Sequence, residues 1–510
     1  MTQVTDSIKR WTGNHRLFIF PFLAFVIPLV VRAIPEILMG PYVLGFDTMG
    51  FYIPNTLLWL HNGVNVWAYL ATSPLIYLIL VPLVAAGGSP VFLIKIISPL
   101  LLGFLALSVY LYAKKGLNWS PSKSAFVAIL GTVYFVALRA SWDQLREELG
   151  FVFLFIVLML LIDRKERSWR GYTALSLAMV GVVLAHQLVS VIMFSIVIFT
   201  LAYELLHKDF GSLVNLILAS LPAALYFVVN LAVVYSGTGA QSGFLNYSTN
   251  VGSALASWTG FTSYLSMLAS EWGFFLYCYL LLLPFVLISI WRFGNLQLRS
   301  WLVVSLILLF IPFASVSPYR WVLMLTYPLA FYATDSISRL KLIKWKRFRI
   351  TVHRIAILYL VLSTAILSFG FMFMSSAQPF FYFNPSQFNS YLNQVPSSML
   401  QNTISITDCQ STVNVLQWFK ENVNNSAILL THTVFYGWAL LTVNEDQVKT
   451  YGFGDPSTAT MTAAQEGYTQ IYLIWWINGQ GWYGQPTLPS TFHEVYQNGK
   501  IAIYSYNSTL

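Results

Sequence analysis

The 510-residue sequence predicts a polytopic α-helical membrane protein, with about 11 transmembrane helices and a small extracellular α/β domain at its C-terminal end. Three observations predict it. Apolar residues make up 57% of the chain and charged residues only 9%, against about 25% charged in an ordinary soluble domain. The apolar residues gather in runs close to the roughly 20 that span a bilayer. From about residue 376 the composition turns to Ser, Asn, Gln and Thr, and no later run is long enough to cross. A water-soluble enzyme and a disordered chain are both excluded for most of the length. Two cysteines, Cys278 and Cys409, exclude a disulfide scaffold and a cysteine-built zinc or iron–sulfur site.

Apolar runs occupy about 17–39, 91–113, 123–140, 149–162, 213–236, 270–291, 300–316, 320–338 and 354–375. The stretch 171–204 is also apolar, but one helix of that length would measure about 50 Å, well beyond a core of about 30 Å. It reads as two helices, 171–186 and 188–204, broken near His186 and Gln187. The apolar stretch 70–86 lies between Ser73-Pro74 and Gly87-Gly88-Ser89-Pro90, both breaking signals, and reads as an outer-face helix that dips in without crossing. That gives eleven spans.

Lys and Arg are retained on the cytoplasmic side. With this set of spans, Lys9/Arg10/Arg16, Lys114/Lys115, Arg164 to Arg170, Lys208, Arg292/Arg299 and Arg339 to Arg354 all fall inside. The N-terminus is then cytoplasmic and the C-terminal part extracellular, with the first run kept as an anchor and no cleaved signal. The net charge of +9 is thus a topology signal and implies no nucleic acid. The sequons at Asn246, Asn424 and Asn507 fall outside, and that at Asn118 inside.

The chain divides into a membrane domain, 1–375, with a first external loop at 40–90, and an external domain, 376–510. The latter carries patterns for a helix at 411–423, a strand at 426–431, a helix near 457–468 and a strand at 470–477. A final β pair near 492–506 turns at Gln497-Asn498-Gly499, where Asn-Gly is the hairpin signal.

Ionisable residues at membrane depth are costly and are functional candidates. Asp47 stands alone just beyond the first span, among aromatics and between Gly45 and Gly50. In that apolar setting it suits a general base; the alternative is a turn-capping aspartate. Asp143, Arg146 and Glu147 lie three and four apart, so in a helical turn they share one face; Glu148 reads as part of a solvated, self-neutralising turn. His186 sits at the helix break, with a satisfied structural histidine as its alternative. Arg320 opens the tenth span and Lys95 lies early in the second; either is otherwise a snorkelling side chain. All of them fall near one face of the membrane. An acid for proton abstraction beside cations for a phosphate is what a lipid-phosphate-dependent transferase needs.

This pattern resembles the GT-C superfamily of membrane glycosyltransferases, which includes protein O-mannosyltransferases, the bacterial aminoarabinose transferase and oligosaccharyltransferases. The likeness rests on the first-loop acid, the outer-face helix, Lys95-Ile96-Ile97-Ser98-Pro99 before a span ending in Ala113-Lys114-Lys115, and the break at Ala185-His186-Gln187. Arg320-Trp321 followed by Pro328-Leu329 is similar to a late segment of archaeal members. The resemblance covers about 17–375. It implies an inverting hexosyltransferase that uses a polyprenyl (dolichyl) phosphate-linked sugar and acts on a glycan, a lipid-linked or a protein acceptor at the external face. Asp47 would match the catalytic acid, while Arg320, Arg146, His186 and Lys95 would hold the donor phosphate. Many relatives carry Asp-Glu or Asp-x-Asp in that loop, whereas Thr48 and Met49 follow Asp47 here, so a second acid falls to Asp143 or Glu147. Without paired acids no metal site or obligatory cofactor is expected, and a divalent ion stays an open alternative. Trp475-Trp476 is superficially similar to the Trp-Trp-Asp-Tyr-Gly signature of oligosaccharyltransferases, but lacks its Asp and Tyr and reads as β-strand core. A transporter or flippase of lipid-linked or small polar substrates is a competing reading, though such proteins place charges near the midplane, usually in repeated halves. A non-catalytic GT-C-like scaffold is another.

Overall fold

A computed structural model of the chain describes residues 2–162, 168–236, 263–310, 319–340, 352–384, 394–478 and 491–506. Each of the expected spans is mainly helical where it falls in these residues. Among the described residues, five helices are long and apolar enough to cross a membrane: Phe18–Leu38, Pro90–Gly116, Gln187–Leu206, Phe210–Val234 and Val352–Phe373. Two bent pairs, Pro121–Val133 with Phe135–Asp143 (58°) and Tyr264–Tyr279 with Leu283–Ser289 (91°), raise the number to seven. The protein is therefore a multi-pass membrane protein. The helices Leu145–Ile162, Trp169–Ala185, Leu296–Leu308 and Thr326–Leu340 fill the remaining expected positions. The sequons at Asn246 and Asn507 and most of the basic segments at 164–167 and 341–350 lie outside the described residues.

Two breaks follow the sequence reading. His186 is extended (φ −160°, ψ 131°) between Trp169–Ala185 and Gln187–Leu206. The helix Leu75–Ala85 has 11 residues and so reaches about 16 Å, too short to cross. A third break differs from expectation. The helix Phe135–Asp143 ends at Gln144 (φ −101°, ψ 51°) before Leu145–Ile162 begins. Asp143 is thereby separated from Arg146 and Glu147, so the three do not share one helical turn. The same segment is no solvated loop: Asp143, Gln144, Glu147 and Glu148 are all buried, Glu148 to 1% exposure. The self-neutralising surface turn expected at Glu148 is therefore corrected. Interior packing covers it, and hydropathy alone does not register such packing.

The C-terminal domain is a five-stranded sheet of β1 (Ile428–His432), β2 (Val448–Gly452), β3 (Ile471–Trp476), β4 (Phe492–Asn498) and β5 (Ile501–Tyr506), in the order β2-β1-β3-β5-β4. β1 runs parallel to β2 and β3, while β5 is antiparallel to β3 and β4. Side chains alternate between faces. Ile428, Leu430, Ile471 and Leu473 pack with Ala463 of helix Pro456–Gln465, and Leu429, Ile474, Ile501 and Ile503 face the other way with Phe419 of helix Ile406–Asn422. Trp475 and Trp476 are core residues of β3, and the indole of Trp476 donates to Asp408 Oδ2 at 3.0 Å. Gly499 takes the positive φ (+56°) that the hairpin turn requires.

This domain sits on the first loop. Gly45 N–H donates to Gln401 O, Asn402 Nδ2 to Val43 O, and the indole of Trp142 to Met399 O and Gln401 O at 3.0 and 2.9 Å. Helix Thr433–Thr442 packs on the π-helical turn Thr48–Tyr52 so closely that a Cβ on Gly437 would lie 1.9 Å from Met49 O. Further along, Glu445 receives hydrogen bonds from His61 Nδ1 (2.8 Å) and Asn62 Nδ2 (2.6 Å).

Candidate active site

The site begins with Gly45. Its φ of +94° and its approach to the backbone of Trp142, where a Cβ would come within 2.0 Å of the carbonyl oxygen, lay the first loop directly over helix Phe135–Asp143. Two residues later Asp47 stands at the head of the turn Thr48–Tyr52, yet its side chain makes no capping hydrogen bond. The carboxylate instead faces Arg320, with Oδ2 3.9 Å from Nη2. Their side chains remain 22% and 28% exposed, while the acids around them are buried. A distance of 3.9 Å is a charge contact with slack, and a group inserted between the two can hydrogen-bond to both.

Arg139, which the sequence reading did not single out, lies one helical turn before Asp143 and donates from Nη1 to Asp143 Oδ1 at 2.6 Å. Its Nε is taken by Gln394 O. A buried, charge-assisted pair of this length holds Asp143 as structure more than as a free acid. The i,i+4 spacing of Arg139 and Asp143 was the signal available in sequence; it was masked because Arg139 sits inside an apolar run.

Glu147 is 1% exposed, and neither of its carboxylate oxygens has a hydrogen-bond partner among the described residues. Arg320, Asp143, Arg139 and Asp47 are the charges in its reach. His186 is 7% exposed, its Nδ1 has no hydrogen-bond partner among the described residues, and its Cβ would lie 3.3 Å from a Cβ on Gly150, one turn after Arg146. Arg146 is partly committed elsewhere: Nη1 donates to Thr72 O at 2.6 Å and the group lies over the Tyr52 ring.

Lys95 is not part of this gathering. Its Nζ donates to the backbone carbonyls of Glu36 and Tyr42 and stands 3.5 Å from Glu36 Oε2. Glu36 in turn pairs with Arg32 at 2.9 Å, and Arg32 Nε donates to Ser141 O. Arg32 and Glu36, buried in the first span, were missed because the apolar average of that run conceals an i,i+4 pair. Glu148 lies within reach of Arg32. The opposite ends of the helices carry a separate network in which Asp335 receives Lys123 Nζ at 2.9 Å, Arg339 Nε at 2.8 Å and the Ser289 hydroxyl at 2.9 Å.

The structure thus brings Asp47, Arg320, Asp143, Glu147, Arg146 and His186 to one end of the helices, and turns Lys95 to the neighbouring Arg32–Glu36 pair. No group of three or more His, Cys, Asp or Glu arranged to hold a metal ion is found among the described residues.

No protein-family model matches the chain, and no curated protein matches it in sequence. Its fold is similar to that of the crystal structure of ArnT from Cupriavidus metallidurans bound to undecaprenyl phosphate, with a TM-score of 0.54 and 11% identity over 95% of this chain and 98% of that one. At that identity the likeness is one of fold.

Proposed function

We propose that this chain is a membrane glycosyltransferase that moves a sugar from a polyprenyl-phosphate-linked donor to an acceptor at the external face of the membrane. The observation that carries the reading is the loose pairing of Asp47 with Arg320, 3.9 Å apart and part-exposed, at the head of a bundle whose other site acids, Asp143 and Glu147, are buried. The similarity of the fold to ArnT, a protein solved with undecaprenyl phosphate, supports the class of donor.

In the proposed reaction Arg320 binds the donor phosphate by paired hydrogen bonds and carries the charge that grows on it as the bond to the sugar breaks. Asp47 accepts the proton of the acceptor hydroxyl. The acceptor oxygen bonds to the anomeric carbon, the bond from that carbon to the phosphate oxygen breaks, and polyprenyl phosphate leaves. A single displacement of this kind inverts the anomeric configuration. Asp143 is held by Arg139, and His186 and Arg146 flank Arg320 as further phosphate contacts. Lys95 acts through the first loop, whose Tyr42 carbonyl it holds. An external position for Asp47 and the sheet domain is supported by the basic segments, which are expected on the cytoplasmic side.

The test uses the full-length protein in liposomes with polyprenyl-phosphate hexoses and an envelope extract as acceptor source. Polyprenyl phosphate should be released. Asp47→Asn should slow release by about 10²–10⁴-fold while the protein stays folded and inserted. Full activity in Asp47→Asn would remove the base from this scheme.

A further inference from the structure

We propose that Glu147, with Gln144 beside it, forms the subsite that recognises hydroxyl groups of the donor sugar and so sets which sugar is transferred. This deepens the proposed function and rests on it.

The argument starts from what these groups lack. Neither oxygen of Glu147, neither the nitrogen nor the oxygen of the Gln144 amide, and not Nδ1 of His186 has a hydrogen-bond partner among the described residues. All three residues are at least nine-tenths buried, at 1%, 3% and 7% exposure. Burying such a group without a partner is unfavourable, and more so where it is charged. Three such residues, Gln144 and Glu147 at one helix break and His186 at another, are a standing cost that packing of the fold does not require. Leucine or alanine would fill the same space without it.

Their position indicates what offsets the cost. Gln144 is the break between two helices, and Glu147 starts the turn that follows it. Arg320 and Asp47 are both among the charges that act on Glu147, and Arg320 acts on His186 as well; the backbone N–H of Arg146, between Gln144 and Glu147, donates to the Tyr52 hydroxyl of the Asp47 loop. When Arg320 holds the donor phosphate, the ring attached to that phosphate lies within a few ångström of it, beside these groups. A carboxyl group offers acceptors, with a donor as well when it is protonated, and an amide offers both kinds of group. Vicinal hydroxyls, each able to donate and accept, match that set. Asp143 does not compete for this role because Arg139 already occupies it.

Two measurements on the full-length protein in liposomes test the proposal. The first gives the wild type a panel of polyprenyl-phosphate hexoses and the mono-deoxy versions of the best one. Wild type should reject at least one deoxy donor by about 100-fold or more in kcat/KM. In Glu147→Leu and Gln144→Leu that ratio should collapse below about tenfold, through loss of rate on the full hexose with little change on the deoxy donor. The second measures thermal unfolding in detergent. Since each substitution removes a buried, unpartnered group, Tm should hold or rise. A fall in Tm with the sugar preference intact makes these residues structural and overturns the proposal. If wild type turns over no polyprenyl-phosphate hexose, the proposed function itself fails, and the subsite with it. If wild type is active but Glu147→Leu discriminates as well as wild type does, the subsite alone fails.

Discussion

Substituting Gly437 with alanine tests whether the sheet domain holds the loop that carries Asp47 in place. The added Cβ would lie 1.9 Å from Met49 O, 3.1 Å from Met49 C and 3.3 Å from Pro54 Cγ. A carbon rests against a carbonyl oxygen at roughly 3.3 Å, so the two backbones must part by roughly 1.4 Å. Helix Thr433–Thr442 gives little. Phe435 is wedged against Trp475 and Trp476, and the Trp438 indole donates to Thr403 Oγ1. The displacement therefore falls on the turn Thr48–Tyr52, two residues from Asp47. A shift of about 1 Å in a reacting group costs on the order of 100-fold in rate, and overpacking costs about 1–3 kcal/mol of stability. Gly437→Ala should lower kcat about 100-fold in the liposome assay and lower Tm, with donor KM changing much less. Gly211→Ala, where a Cβ meets nothing within 4 Å, should match wild type. A Gly437→Ala protein with kcat within threefold of wild type would show that the sheet domain does not position Asp47.

Other substitutions separate the remaining roles. Arg139→Ala leaves Asp143 buried and unpaired and should cost about 3–5 kcal/mol; Arg139→Ala with Asp143→Ala should recover part of the lost Tm. Lys95→Met should lower Tm through the Glu36 and Tyr42 contacts while raising donor KM no more than about threefold; a larger rise in KM without loss of Tm would make Lys95 a donor ligand. The pH dependence of the sheet domain has a defined sign. Burial pushes the His432 imidazole down to about 4 from an ordinary value near 6.5, and its Nδ1 accepts from Val434 N–H as a helix cap. The unfolded chain takes up a proton near pH 6.5 while the folded one resists it. Stability is therefore intact above pH 6.5 and declines by about 3 kcal/mol as pH falls to 4. His432→Asn, which keeps a capping side chain and cannot titrate there, should flatten that decline in unfolding scans.

Much of the architecture was legible because membrane helices advertise themselves by length and apolarity, and because breaks at His186 and Ser73-Pro74 carry local signals. The hairpin at Asn498-Gly499 was legible for the same local reason. Helix Thr433–Thr442 was not: it is apolar nearly all round and follows β1 without a breaking residue, so periodicity gave no boundary. β2, with Lys449 and Thr450 on a sheet edge, was not among the expected strands. At the site, the gathering of Asp47, Arg320, Glu147 and His186 followed from topology, which puts alternate helix ends on one side. Which charges pair inside the bundle did not follow. Arg139, Arg32 and Glu36 were averaged away in apolar runs, and the burial of Glu148 depends on neighbours far along the chain.

The clamp on the first loop also bears on how the protein is made. Asp47 enters the membrane region early in synthesis, but the backbone that fixes its loop belongs to residues 399–403 and to helix Thr433–Thr442, nearly four hundred positions later. Contacts of such sequence separation form late, and domains complete in the order in which they emerge. A chain stopped before Thr433 would hold most of its helices but lack the contact that fixes the Asp47 loop, so the proposed activity should appear only once synthesis has passed Thr442.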